Sequence, residues 1–176
     1  MYIIELTEAD NTTPIVFNYV TQGHYKATLM ESEGSFGVEF AYEPFEQEIS
    51  KSFTDILVPD YLENPKSFAA MINDEIAGYI VVNHEKYNNR IRIAQFLVLN
   101  PHRGQGIGRA LMNRAEAYAR DLGARAMILE TQSCNIPAIR FYMSYGFRFV
   151  GCDLQCYSNQ DIGNKEIRLE LGMMLI

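Results

Sequence analysis

Apolar and polar residues alternate with a period of two over much of the first 100 positions, and a helical stripe appears only after them. Met1 to Thr7 reads as a first strand. Asp10 to Val20 gives a weak helical signal that opens on Asp or Asn as a cap. His24 to Met30 and Phe36 to Tyr42 alternate around Glu31-Ser32-Glu33-Gly34-Ser35, the pattern of a hairpin over 24–42. Pro44 to Pro65 is polar and irregular and predicts no regular element. Ser67 to Ile72 and Ile76 to Asn83 flank Asn73-Asp74-Glu75, a tight-turn composition, and predict a second hairpin. After a turn at Asn88-Asn89, Ile91 to Leu99 ends in an apolar run that suggests a strand buried on both faces.

Helical spacing then takes over. Ile107, Leu111, Ala115, Tyr118 and Leu122 form one stripe, and Gly123 stands where a helix-ending C′ glycine belongs. Ala126 to Glu130 predicts a strand, Ile136 to Tyr145 a second helix, and Phe147 to Tyr157 and Glu166 to Met174 two closing strands. A meander of antiparallel strands followed by β-α-β-α-β-β makes one α/β domain over 1–176.

Composition narrows the function classes. With 176 residues and 48% hydrophobic content the chain can bury a core, and 21% charged residues is ordinary for a folded protein. A formal charge of −7 argues against non-specific binding to phosphate backbones and would tolerate a cationic small molecule. Met1 to Glu5 carry no basic segment of the signal-peptide kind, and no apolar run reaches the length of a membrane span. Three cysteines, Cys134, Cys152 and Cys156, show no zinc-like pairing with the three histidines, so no metal is expected. Cys152 and Cys156 would share a strand face as small core residues. A reduced, cytoplasmic protein is expected, bound to neither nucleic acid nor membrane.

The candidate chemistry begins at Arg103-Gly104-Gln105-Gly106-Ile107-Gly108, between a strand and a helix start. Backbone N–H groups of a first helical turn, the helix dipole and glycines that admit a phosphate together make an anion site. Arg103 and Arg109 flank it and can add charge-assisted contacts. No Gly-Lys-Ser/Thr follows, which excludes a Walker loop. A dinucleotide fold would use Glu130 as its ribose acid, but its third glycine falls at Arg109, and the turn comes too late in the chain.

Asn100-Pro101-His102-Arg103-Gly104-Gln105-Gly106-Ile107-Gly108-Arg109-Ala110-Leu111 resembles the signature of the GCN5-related N-acetyltransferases (GNAT). The family's second signature follows at Asn135-Ile136-Pro137-Ala138-Ile139-Arg140-Phe141-Tyr142, then Gly146-Phe147. Leu129-Glu130-Thr131-Gln132, Gly151, Asp153, Tyr157, the hairpin 24–42 and Asn89-Arg90 are similar to the streptothricin (nourseothricin) acetyltransferase branch. The resemblance implies a mixed, mostly antiparallel sheet whose fourth and fifth strands splay apart, with flanking helices. It implies an acetyl-CoA-binding core over 91–145, and the acceptor site near the hairpin 24–42.

The same resemblance assigns roles. Backbone groups of Leu97, Val98 and Leu99 would hold the pantetheine arm, and Arg103, Gly104, Gln105, Gly106, Ile107, Gly108 and Arg109 would receive the pyrophosphate. Asn135, which also caps a helix, and Ala138 would support the pantetheine. Tyr142 would protonate the departing CoA thiolate. Acetyl would pass from acetyl-CoA to an amine, in streptothricin that of the β-lysine moiety.

The base departs from the family's pattern. A protonated alkyl amine, with a pKa of about 10.4, must lose a proton before it attacks. Relatives commonly carry an acid on the fourth strand six positions before the turn arginine; that position is Leu97, and the next outward-facing candidate, Gln95, does not ionise either. Glu130 is the preferred substitute, as base or as a charge that attracts the substrate, with Glu39, Glu43 and His84 behind it. Six glutamates and no Lys or Arg between Ala27 and Ser50 would favour a cationic acceptor if the hairpin covers the site. The expected partners are a small-molecule amine (a streptothricin-type antibiotic, a polyamine, an amino acid or a protein amine) and, in assembly, a second copy of the chain. A catalytically weak acetyl-CoA-binding module is the reading that Leu97 leaves open.

Overall fold

In the computed structural model, which describes residues 1–175, the elements run β1 (Tyr2–Glu5), β2 (Pro14–Ser32), β3 (Ser35–Ile56), β4 (Pro65–Ile72), β5 (Glu75–Glu85), β6 (Arg90–Val98), α1 (Ile107–Asp121), β7 (Ala126–Gln132), α2 (Ile136–Tyr145), β8 (Arg148–Asp153) and β9 (Arg168–Met174). Ile176, the last residue of the domain expected over 1–176, lies outside the described residues. Seven strands take the order β1-β4-β5-β6-β7-β9-β8, and β2 with β3 makes a two-stranded ribbon. β1, β4, β5 and β6 pair antiparallel in turn, whereas β6 and β7 pair parallel from Arg90↔Ala126 to Ile93↔Leu129. β6 and β7 are thus the fourth and fifth strands of the family's numbering. Among the described residues, no helix is long and apolar enough to cross a membrane.

Two compact units interleave along the sequence. The first takes Met1–Asn18, Ser52–Leu129 and residues 172–175; the second takes Tyr19–Lys51 and Glu130–Leu171. The hairpin 24–42 lies inside the second, and the stretch 91–145 divides between them after Leu129.

Within the first unit the β4–β5 hairpin closes on Asn73 and Asp74, with φ of 49° and 63°. Short polar side chains tolerate that left-handed conformation, which is why the composition of this turn was readable. Helix α1 buries Ile107, Leu111, Met112, Ala115 and Ala119. It ends in a Schellman arrangement: Gly123 N–H donates to Arg120 O and Ala124 N–H to Ala119 O, with Gly123 at φ 66°. Ala119 therefore takes the place expected of Leu122, which is 42% exposed. β6 buries alternate residues, Ile91, Ile93, Gln95 and Leu97, instead of both faces.

The amino-terminal helix expected over 10–20 does not form. A 3₁₀ turn at Glu8–Asp10 is closed by a Thr7–Asp10 capping box, and the chain enters β2 at Pro14. A residue before proline is pushed towards extended backbone, and Ile15, Phe17, Tyr19 and Thr21 then alternate on the strand's inward side. The irregular segment expected over 44–65 is also corrected, because β3 continues to Ile56. Its residues are mostly exposed, so no apolar alternation marks it, and Pro44 is tolerated because the strand belongs to a two-stranded ribbon.

In the second unit Ala27, Ile136, Ile139, Ile167 and Leu169 form the core, with Tyr25, Val38, Phe40 and Cys152 packed against it. Cys156 lies beyond the end of β8 and is exposed, so the strand face it was expected to share with Cys152 does not exist.

Candidate active site

The end of β6 leads through Asn100–His102, a 3₁₀ turn, into the glycine turn. Gly104 and Gly106 have φ of 76° and 83°, and a Cβ built on either would meet no atom within 4 Å. Both therefore sit in a conformation that suits glycine, with open space before the backbone. The first helical bond of α1 runs from Ala110 N–H to Gly106 O, so the amides of Ile107, Gly108 and Arg109 precede the helical ladder. This geometry fits a pyrophosphate. Gln105 is turned back to brace the loop, its Nε2 donating to Pro101 O at 3.0 Å.

Arg103 is placed differently from a free phosphate ligand. Its Nε donates to Val98 O at 3.0 Å and its guanidinium to Asn18 O at 2.6 Å, and burial pulls its pKa below the ordinary arginine value. The side chain ties the start of the turn to the end of β6. It also walls a cleft of about 420 Å³ with Ile15, Tyr79, Leu97, Val98 and Leu99.

Gly78 on β5, which the sequence reading did not single out, makes that approach of strands feasible. A Cβ there would lie 2.6 Å from Leu97 O and 3.2 Å from both Val98 Cα and Leu111 Cδ1. Its signal in the sequence was a lone glycine in a strand, which marks a close backbone approach without saying to what.

Leu97 is buried with Ile15, Leu57, Val58 and Val81. Gln95 is not outward-facing as expected but 7% exposed, with Nε2 donating to Asp55 Oδ2 at 2.8 Å and to Ile56 O at 3.3 Å.

In the second unit Asn135 caps α2, its side chain accepting from Ala138 N–H at 3.3 Å, and Pro137 occupies the first turn. One turn of helix thus fixes Asn135 and Ala138 together. Tyr142, 7% exposed, meets Phe141 and Phe147 edge to face. Burial pushes its phenol above the ordinary value, so it stays protonated at neutral pH. Glu130 is exposed, and Arg168 reaches its carboxylate at 2.6 Å. Of the other candidate bases, Glu43 accepts from Lys26 Nζ at 2.9 Å, which holds it below the usual carboxylate range. Glu39 is exposed. In the first unit, His84 Nε2 lies 3.2 Å from Asn89 Oδ1.

A strand, a turn with two open glycines and a helix start are what the family signature requires, and the model of the Acetyltransferase (GNAT) family matches residues 30–147. The chain belongs to the GNAT acetyltransferase family. A streptothricin acetyltransferase of Streptomyces lavendulae is 40% identical over 93 residues, 52% of this chain and 49% of that protein. One of Escherichia coli is 32% identical over 98 residues, 56% of each chain. The chain thus spans about half the length of these curated relatives. The crystal structure of a nourseothricin acetyltransferase matches with a TM-score of 0.78 at 26% identity, covering 99% of this chain and 98% of that one. A Bacillus anthracis protein solved in complex with acetyl coenzyme A shares the fold, with a TM-score of 0.73 at 22% identity and 99% of both chains covered. The mixed, mostly antiparallel sheet with flanking helices expected from the sequence is the GNAT fold.

Proposed function

We propose that this GNAT chain transfers acetyl from acetyl-CoA to a primary amine of a small cationic acceptor of the streptothricin type. The observation that carries the reading is the open pair Gly104 and Gly106 at the start of α1, a place built for a pyrophosphate. Gly104, Gly106, Ile107, Gly108 and Arg109 receive the pyrophosphate, while Arg103 and Gln105 hold the loop in shape. Backbone groups of Leu97, Val98 and Leu99, with Asn135 and Ala138, hold the pantetheine.

Tyr142 is the hydrogen-bond donor to the sulfur, the role that the family resemblance assigns to it. Its phenol is pushed above a thiol of pKa about 8.5, so it stabilises the departing thiolate chiefly by donating a hydrogen bond. Arg168 engages the carboxylates of both Glu130 and Glu170, which makes Glu130 a poor base but leaves the three side chains with a net negative charge that draws the cation. An overall charge of −7 and the glutamates of the ribbon favour the same class of acceptor. Named relatives act on streptothricin, which is why that amine leads the list.

The test is CoA release with streptothricin, spermidine, lysine and amino-terminal peptides. Streptothricin should give the highest kcat/KM, and Glu130→Gln should raise its KM while leaving kcat in place. Preference for a peptide amine would reject the substrate class. CoA release with none of them would favour an acetyl-CoA-binding module, the reading that apolar Leu97 supports.

A further inference from the structure

We propose that Asp55 is the carboxylate that receives the acceptor's ammonium and its first proton; this rests on the amine-acetylating reading above. An acid is missing from the side chains of β6, yet one lies against that strand. Asp55 closes on Gln95 through Nε2 to Oδ2 at 2.8 Å, and its Oδ1 accepts its neighbour Ile56's N–H at 2.8 Å. Each carboxylate oxygen has two acceptor directions, so each retains one for a further donor.

Three features place this carboxylate deliberately. Gln95 is the one polar residue among the buried positions Ile91, Ile93, Gln95 and Leu97 of β6. Burying a carboxamide there costs free energy unless it is paired, and Asp55 with Ile56 O provides the pairing. Leu57, fully buried, packs in one cluster with Leu97 and Ile15, so the segment Asp55–Leu57 is pinned over Gln95–Leu97. Leu97 and Ile15 in turn line the cleft that Val98, Leu99 and Arg103 complete. Residues 95 and 97 are separated by two strand steps, about 6.6 Å. One water covers such a gap, so an ammonium held beside Leu97 passes its proton to Asp55 directly or through a single water. Asp55 itself remains partly exposed, so solvent and substrate reach it.

In the step, the alkylammonium gives one proton to the Asp55 carboxylate, directly or through one water. The freed lone pair forms the C–N bond to the thioester carbonyl, the C–S bond breaks, and sulfur leaves with its electron pair. Nitrogen sheds its second proton as the adduct collapses, the thiolate takes one up, and Asp55 returns its own to solvent.

Asp55→Asn should lower kcat by about 10²-fold and leave the calorimetric Kd for acetyl-CoA unchanged. Combining D55N with Q95E restores a carboxylate–carboxamide pair with the partners exchanged, and should recover at least about tenfold of that loss. Added formate should likewise raise the turnover of Asp55→Ala. A merely structural Asp55 would let the swap recover, since the swap re-forms the same hydrogen bond, but would give no response to formate. Wild-type kcat and acceptor KM in D55N would overturn the proposal. So would a folded D55A that binds acetyl-CoA yet does not respond to formate, whether or not the swap variant recovers. Turnover by the unaltered chain decides the underlying reading separately. If that chain releases no CoA, spermidine calorimetry reads the same carboxylate, and equal affinity of wild type and D55N overturns the proposal.

Discussion

Gly106→Asp should weaken acetyl-CoA binding by about 10²-fold or more, some 2.7 kcal/mol, while the domain stays folded. A Cβ at this position meets no atom within 4 Å, so the substitution clashes with nothing. Its φ of 83° is left-handed, and aspartate tolerates that region better than most residues. Strain of about 1–2 kcal/mol is therefore its upper cost to folding. The loss falls on the ligand, because the new carboxylate projects into the space where phosphate oxygens would approach the α1 amides. Gly106→Ala separates strain from charge and should cost much less affinity. Calorimetry with acetyl-CoA, beside a thermal melt, reads both. Unchanged affinity in folded Gly106→Asp would remove the turn from the cofactor site.

Tyr142→Phe should lower kcat by about 10²-fold and leave the KM for acetyl-CoA nearly as it was. The variant keeps the ring that meets Phe141 and Phe147 edge to face, so core packing survives. What it removes is the O–H. Burial raises the folded phenol above its unfolded pKa of about 10, so the group is protonated throughout an assay between pH 6 and 9. Its contribution to rate should therefore be flat over that range. Any stability linked to this shift is complete below pH about 10 and is lost only as pH rises towards the folded value. Steady-state kinetics with purified variant protein gives the answer. Wild-type turnover would leave Tyr142 as a packing residue.

Local chemistry was legible along the chain where it is self-contained. Asn73-Asp74 announced the β4–β5 hairpin, Gly106 and Gly123 bracketed α1, and Asn135 announced α2 as its cap. Each of those features depends on residues no more than a few positions away. The ribbon was half legible. Its alternation showed between His24 and Tyr42, but the extension of β3 through Pro44 to Ile56 buries too little to leave a pattern. The weak helical signal over 10–20 lost to Pro14 and to the β-branched and aromatic residues after it.

The site divides in the same way. The glycine turn and the α2 signature are continuous runs of sequence, so each was legible as a motif. Gln95 and Asp55 are 40 positions apart, and nothing in either neighbourhood announces the other. Gly78 is a single glycine whose meaning depends on Leu97 O and Leu111. The pairing of Glu130 with Arg168 likewise joins two separate strands, so the preference for Glu130 as base could not be weighed against it beforehand.

The central claim is that this chain moves an acetyl group onto an amine, and acetyl-CoA labelled in its acetyl carbon tests it most directly. Incubated with streptothricin, the protein should transfer the label to the antibiotic's β-lysine amine, with one free CoA thiol per labelled product. Label appearing as free acetate, or remaining on CoA with every amine supplied, would contradict the account.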